Sequence, residues 1–228
     1  MNTGKFSGSM KLAELIGMNR KLLSVLSRLN IGLAFGERTI SEVCAMQGIN
    51  LNSFLLICNA YTYDDYVPSS ELLSGAEPLS IVEYLHNSHS FYLDKEFPAL
   101  ESNIKAMTEP CEPVQQKIVG RFFGDYKAQV QKHFAYEEKV VFPYVRSLVA
   151  GESSQGYSIE KFEENHSNID ETLNDLKNIV MKYIPDTCDM VLRNEVLYGI
   201  FRLEEDLKKH TLIEDRVLIP MVNRMEEK

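Results

Sequence analysis

Residues 132–144 read KHFAYEEKVVFPY, and residues 209–221 read KHTLIEDRVLIPM. Both stretches share Lys-His, a carboxylate four residues after the histidine (Glu137, Glu214), a valine three further on, and a proline ten after the histidine. The chain holds only five histidines in 228 residues, so a repeated phrase built on two of them carries information. Residues i and i+4 of an α-helix project from one face, one turn apart. His133 with Glu137, and His210 with Glu214, can therefore each aim two ligand atoms at one point. Glu makes up 23 of the 228 residues, so one such pair would be unremarkable, but an intact copy is not.

Working outward, the other histidines are His86, His89 and His166. Helical periodicity dominates, and no alternating strand pattern competes with it. Four long helical tracts are expected at about 80–108, 114–150, 158–183 and 189–225, joined by short turns that favour antiparallel neighbours. The expected fold is all-α: an up-down-up-down four-helix bundle over 78–228, preceded by a small helical domain over 1–70. The Pro-, Ser-, Gly- and Asp-rich stretch 61–78 is the expected linker. Pro98, Pro143 and Pro220 lie inside helical patterns and should kink or end them.

Each of the four tracts carries a histidine. His86 and His133 are 47 residues apart, and His166 and His210 are 44 apart, which suggests two hairpins with a lone histidine followed by His-x-x-x-Glu. Buried carboxylates are costly in a helical core unless they are compensated, and a metal ion removes that cost. Imidazole with carboxylate forms a mixed N/O donor set suited to iron, manganese or zinc. On the first tract His86 and His89 compete. His89 could stand behind the ligands or on the surface, and Asp170, four after His166, could be a ligand or an acceptor behind one. Glu138, about 100° around the helix from Glu137, is expected in solvent. Phe91, Phe134, Phe142, Phe162 and Phe201 are expected to pack the core, with Val140, Val141 and Tyr144.

The net charge of −9 disfavours nucleic acid and anionic membrane surfaces as partners. Residues 1–70 carry six basic and five acidic side chains, too balanced for a phosphate-binding patch. Cys44, Cys58, Cys111 and Cys188 are widely spaced, so no disulfide framework or zinc knuckle is expected. With no signal-like or membrane-length apolar run, the expectation is a reduced, cytoplasmic protein.

This pattern resembles the hemerythrin-like di-iron proteins, and within them the repair-of-iron-centres family. That family carries H…HxxxE…H…HxxxE over a four-helix bundle, with a YHxxHRxxLP-like run on its first helix. Here that run is YLHNSHSFYLDKEFPAL (84–100). The resemblance puts the ligands on His86, His133, Glu137, His166, His210 and Glu214. It implies two iron ions, each with two histidines, joined by Glu137 and Glu214 and by an oxo or hydroxo bridge. Nitric oxide, dioxygen or peroxide are the implied small ligands, and iron–sulfur proteins the implied partners; a homodimer is compatible. Residues 1–70 also resemble that family's small N-terminal domain. Its usual Cys-Cys pair, however, falls here on Leu33 and Ala34, in NIGLAFGE. The implied function is iron–sulfur cluster repair or nitric oxide and dioxygen chemistry in oxidative or nitrosative stress. Two alternatives stand beside it. One is a di-iron sensor in which 38–61 acts as a helix-turn-helix; the other is non-catalytic binding of iron or a small ligand.

Overall fold

Side-chain caps fix where three of the short N-terminal helices begin. Within a computed structural model that describes residues 6–152, 156–165, 170–185 and 188–227, α1 (Leu12–Met18) and α2 (Leu22–Arg28) come first. Next is α3 (Ile40–Gln47), where Thr39 accepts from the Glu42 backbone N–H while the Glu42 carboxylate accepts from the Thr39 N–H. Gly48 ends α3 in the left-handed region, at φ 68°, where glycine carries no side-chain penalty. Asn50 then caps α4 (Leu51–Thr62), and Ser69 caps α5 (Ser70–Gly75).

The longer tracts follow: α6 (Pro78–Phe91), α7 (Phe97–Thr108), α8 (Pro113–Tyr136), α9 (Phe142–Val149), α10 (Glu160–Asn165), α11 (Asp170–Lys182), α12 (Met190–Ile213) and α13 (Ile219–Glu226). Three π-turns join them, Tyr92–Glu96 between α6 and α7, Glu137–Val141 between α8 and α9, and Glu214–Leu218 between α12 and α13. Among the described residues there is no strand, only an isolated bridge between Lys11 and Thr39. The fold is all-α, as the sequence predicts.

The internal prolines do not end these helices. Pro98, Pro143 and Pro220 each sit second in the helix after a π-turn. A proline lacks its N–H, and its ring presses on the carbonyl four residues back. A π-turn inserts one extra residue and shifts bonding to i−5, so the helix continues past the proline. Phe97 N–H donates to the Tyr92 carbonyl and Ile219 N–H to the Glu214 carbonyl, each five residues back.

The chain divides into two compact units. One comprises Met1–Ser88, Val140–Asn165 and Lys209–Lys228; the other comprises His89–Lys139 and His166–Lys208. In the first, α4 is buried at every residue from Ser53 to Tyr61, the mark of a central helix rather than an amphipathic surface one. The segment 61–78, read as a linker, lies inside this unit. Lys209 Nζ meets Asp64 Oδ1 at 2.6 Å, Arg216 donates to the Tyr66 carbonyl at 2.8 Å, and Arg224 donates to Ser70 Oγ at 3.0 Å.

The second unit is a bundle of two helical hairpins around one apolar core. Phe97, Phe123 and Tyr126 meet edge to face with Val130, Leu176, Val180, Val196, Ile200 and Leu203 buried around them. Each such side chain contributes about 1.5–3 kcal/mol by leaving water. Phe201 departs from the core expectation: it is 44% exposed on the outer face of α12, with Lys177 Nζ 5.4 Å above its ring. Its neighbours Ile200 and Leu203 take the inward face instead. Phe134, Phe142 and Phe162 are buried as expected, and Phe91 is half-buried. The reduced-cysteine expectation is also corrected. Cys111 and Cys188, 77 residues apart, form a disulfide that ties the α7–α8 turn to the approach to α12.

Candidate metal centre

The repeated phrase does locally what its spacing dictates. On the α8 tract, His133 Nε2 lies 2.7 Å from Glu137 Oε1, and on the α12 tract His210 Nε2 lies 3.0 Å from Glu214 Oε1. Both carboxylates open a π-turn, so each His-x-x-x-Glu pair sits at the junction where helix geometry changes. Both are fully buried, and His210 is 2% exposed.

The first helical tract holds the two competing histidines. His86, the expected ligand, is exposed on α6, whereas His89 is buried. His89 Nε2 lies 2.8 Å from Glu137 Oε2, and its Nδ1 lies 2.7 Å from Glu138 Oε1. Its ring stacks on Phe134, centroids 4.0 Å apart and 18° from parallel. The buried stripe of this tract runs through Tyr84, Leu85, Ser88, His89 and Tyr92, and His86 falls off it. The signal was present in the sequence. His133 and His210 each precede a Phe-Pro or Ile-Pro proline by ten residues; His89 precedes Pro98 by nine and His86 by twelve. Glu138 departs from expectation too. It is half-buried against His89 rather than in solvent.

One ligand atom from each of His89, Glu137, His210 and Glu214 lies within 4.8 Å of the others, and all four residues are buried. His133 joins them through Glu137. His166 and the side chain of Asp170 lie outside the described residues. Two imidazoles with two carboxylates make a donor set that fits a transition-metal cation, and burying two carboxylates together is costly without one. Of the six expected ligands, the structure brings His133, Glu137, His210 and Glu214 into this neighbourhood and puts His89 where His86 was expected.

The thiols are elsewhere. Leu33 and Ala34, standing where the resemblance expects a Cys-Cys pair, are exposed in the turn before α3. Cys44 and Cys58 are buried, and burial raises the Cys44 thiol to about 11 and the Cys58 thiol well above its usual range. Thiols held protonated in this way are poor nucleophiles and metal ligands at neutral pH, so neither replaces the missing pair.

No helix among the described residues is long and apolar enough to cross a membrane. A search of curated proteins finds no match. Residues 80–222, well over half of the chain, match the hemerythrin HHE cation-binding domain, and with the buried His/Glu cluster inside that span the chain belongs to the hemerythrin HHE cation-binding family.

Proposed function

We propose that this chain is a di-iron protein of oxidative or nitrosative stress, acting in iron–sulfur cluster repair or in nitric oxide and dioxygen chemistry. The observation that carries the reading is the buried cluster of His89, Glu137, His210 and Glu214 within the family match. His89, His133, Glu137, His166, His210 and Glu214 would hold two irons. When bound, the iron pair supplies electrons and open coordination positions for nitric oxide, dioxygen or peroxide. The chain's own part is to hold the ligands in fixed positions, exclude bulk water and set the tautomer of each imidazole.

The exposed Leu33–Ala34 turn and the buried, raised thiols of Cys44 and Cys58 mean that repair here would proceed without N-terminal thiol exchange. Iron donation or gas chemistry at the centre then carries the function. A cytoplasmic setting goes with that chemistry. Disulfides there are typically transient, so the Cys111–Cys188 bond would form under the oxidative conditions that the reading invokes. The rival DNA sensor is disfavoured by α4, the second helix of the helix-turn-helix-like stretch, whose residues Ser53–Tyr61 are all buried and cannot enter a groove.

The test has two arms. Iron-loaded protein is titrated anaerobically with nitric oxide and separately with dioxygen while its optical spectrum is followed. It is also added to a nitric-oxide-damaged iron–sulfur enzyme, and recovery of that enzyme's activity is measured. Spectral change with recovery supports repair; spectral change without recovery leaves binding or gas chemistry. An inert spectrum in both titrations overturns the reading.

A further inference from the structure

We propose that Glu138 is a positioning residue for the metal centre: it fixes the tautomer and aim of His89, so that Nε2 is the nitrogen presented to a metal. The proposal rests on the metal-centre reading above.

The geometry is specific. An ionised carboxylate can only accept hydrogen bonds. Both ring nitrogens face a carboxylate, Nδ1 at 2.7 Å from Glu138 Oε1 and Nε2 at 2.8 Å from Glu137 Oε2. A metal cation that takes the place of a proton at Nε2 leaves the ring proton on Nδ1, donated to Glu138. A neutral imidazole carries one ring proton, so its lone pair is then on Nε2. The stack on Phe134 restrains the ring plane, so the Glu138 bond settles which nitrogen points where. A carboxylate behind a ligating imidazole also raises its basicity, and loss of such a partner typically costs ten- to a hundredfold in metal affinity.

Two further observations separate Glu138 from an incidental neighbour. It lies beside Glu137 in the same π-turn, where the 100° step of an α-helix does not apply, so two consecutive carboxylates reach opposite nitrogens of one ring. The copied phrase differs here: Asp215 stands at the matching position and is exposed, whereas Glu138 is 30% exposed against a His89 that is 3% exposed. On the α8 tract the longer side chain reaches the His89 ring.

The experiment compares the wild-type chain with Glu138→Ala and Glu138→Gln. Affinity for ferrous iron is measured anaerobically by competition with a chromophoric chelator, and the ring nitrogens of His89 are observed by 15N NMR in zinc-loaded protein. We expect Glu138→Ala to bind iron about ten- to a hundredfold more weakly than wild type, with Glu138→Gln between the two because its amide oxygen still accepts. The His89 Nδ1–H signal should be protected from exchange in wild type and lose that protection in Glu138→Ala. Should Glu138→Ala fail to fold, Glu138→Gln, which keeps the shape, carries both readouts. Wild-type iron binding with unchanged affinity and an unchanged His89 signal in the variants overturns the role of Glu138 alone. A wild-type chain that takes up neither metal overturns the metal centre and this role together.

Discussion

The phrases at 132–144 and 209–221 share one scaffold with a third region that lacks their ligands. Six residues before each internal proline stands the first residue of a π-turn: Glu137 before Pro143, Glu214 before Pro220 and Tyr92 before Pro98. Ten before each proline stand His133, His210 and Ser88. The backbone device is therefore present three times and the His-x-x-x-Glu pair only twice. On the first tract buried Ser88 and Tyr92 occupy the two matching positions, and a buried histidine, His89, follows one residue after Ser88. Helix geometry and metal chemistry are separable here: the proline and π-turn set where a side chain points, and residue identity decides whether it is a ligand.

The comparison is broken most sharply at the two carboxylates. Glu137→Ala and Glu214→Ala should each strip metal from the centre, read as iron per chain after reconstitution. Full iron in either variant would show that the two phrases are not equivalent. Replacing either by Gln should leave the metal-free chain as stable or more stable, because it removes a buried charge, and thermal melting checks that sign. Next in size is the first tract. His89→Ala should lower the iron content and His86→Ala should spare it, and the reverse order would restore His86 as the ligand.

The scaffold can be tested apart from the ligands. Pro143→Ala and Pro220→Ala restore an N–H and permit the i−4 bond, which favours regular α-helix over the π-turn. Metal affinity should fall by less than with the carboxylate changes, while metal-free stability should rise by up to about 3 kcal/mol. A chain that loses stability without losing metal would assign the prolines to packing alone. The smallest effect is expected far from both phrases, at the α3 cap. Thr39→Ala should cost about 1 kcal/mol and leave metal binding unchanged. Hydrogen bonds from the Thr39 N–H and hydroxyl hold the Glu42 carboxyl below its usual range. The stability that this gives is present above the ordinary glutamate range and is lost as pH falls through the lowered value. Denaturation titrations of wild type and Thr39→Ala should therefore converge toward acid.

The sequence made much of this legible. The helical tracts and both His-x-x-x-Glu pairs follow from local periodicity and spacing, which act over a few residues. Three features did not follow from it. Residues 86 and 89 differ by only about 60° around an α-helix, so periodicity alone could not choose between them; the distance to Pro98 could have. The π-turns are hidden because a proline announces a lost hydrogen bond but not the extra residue that absorbs it. The Cys111–Cys188 bond spans 77 residues and depends on how two hairpins pack, which no local signal encodes.

The most direct test is the iron content of the wild-type chain after anaerobic reconstitution with ferrous iron and removal of unbound metal. About two irons per chain would match a centre held by both copies of the phrase. Zero or one would contradict it.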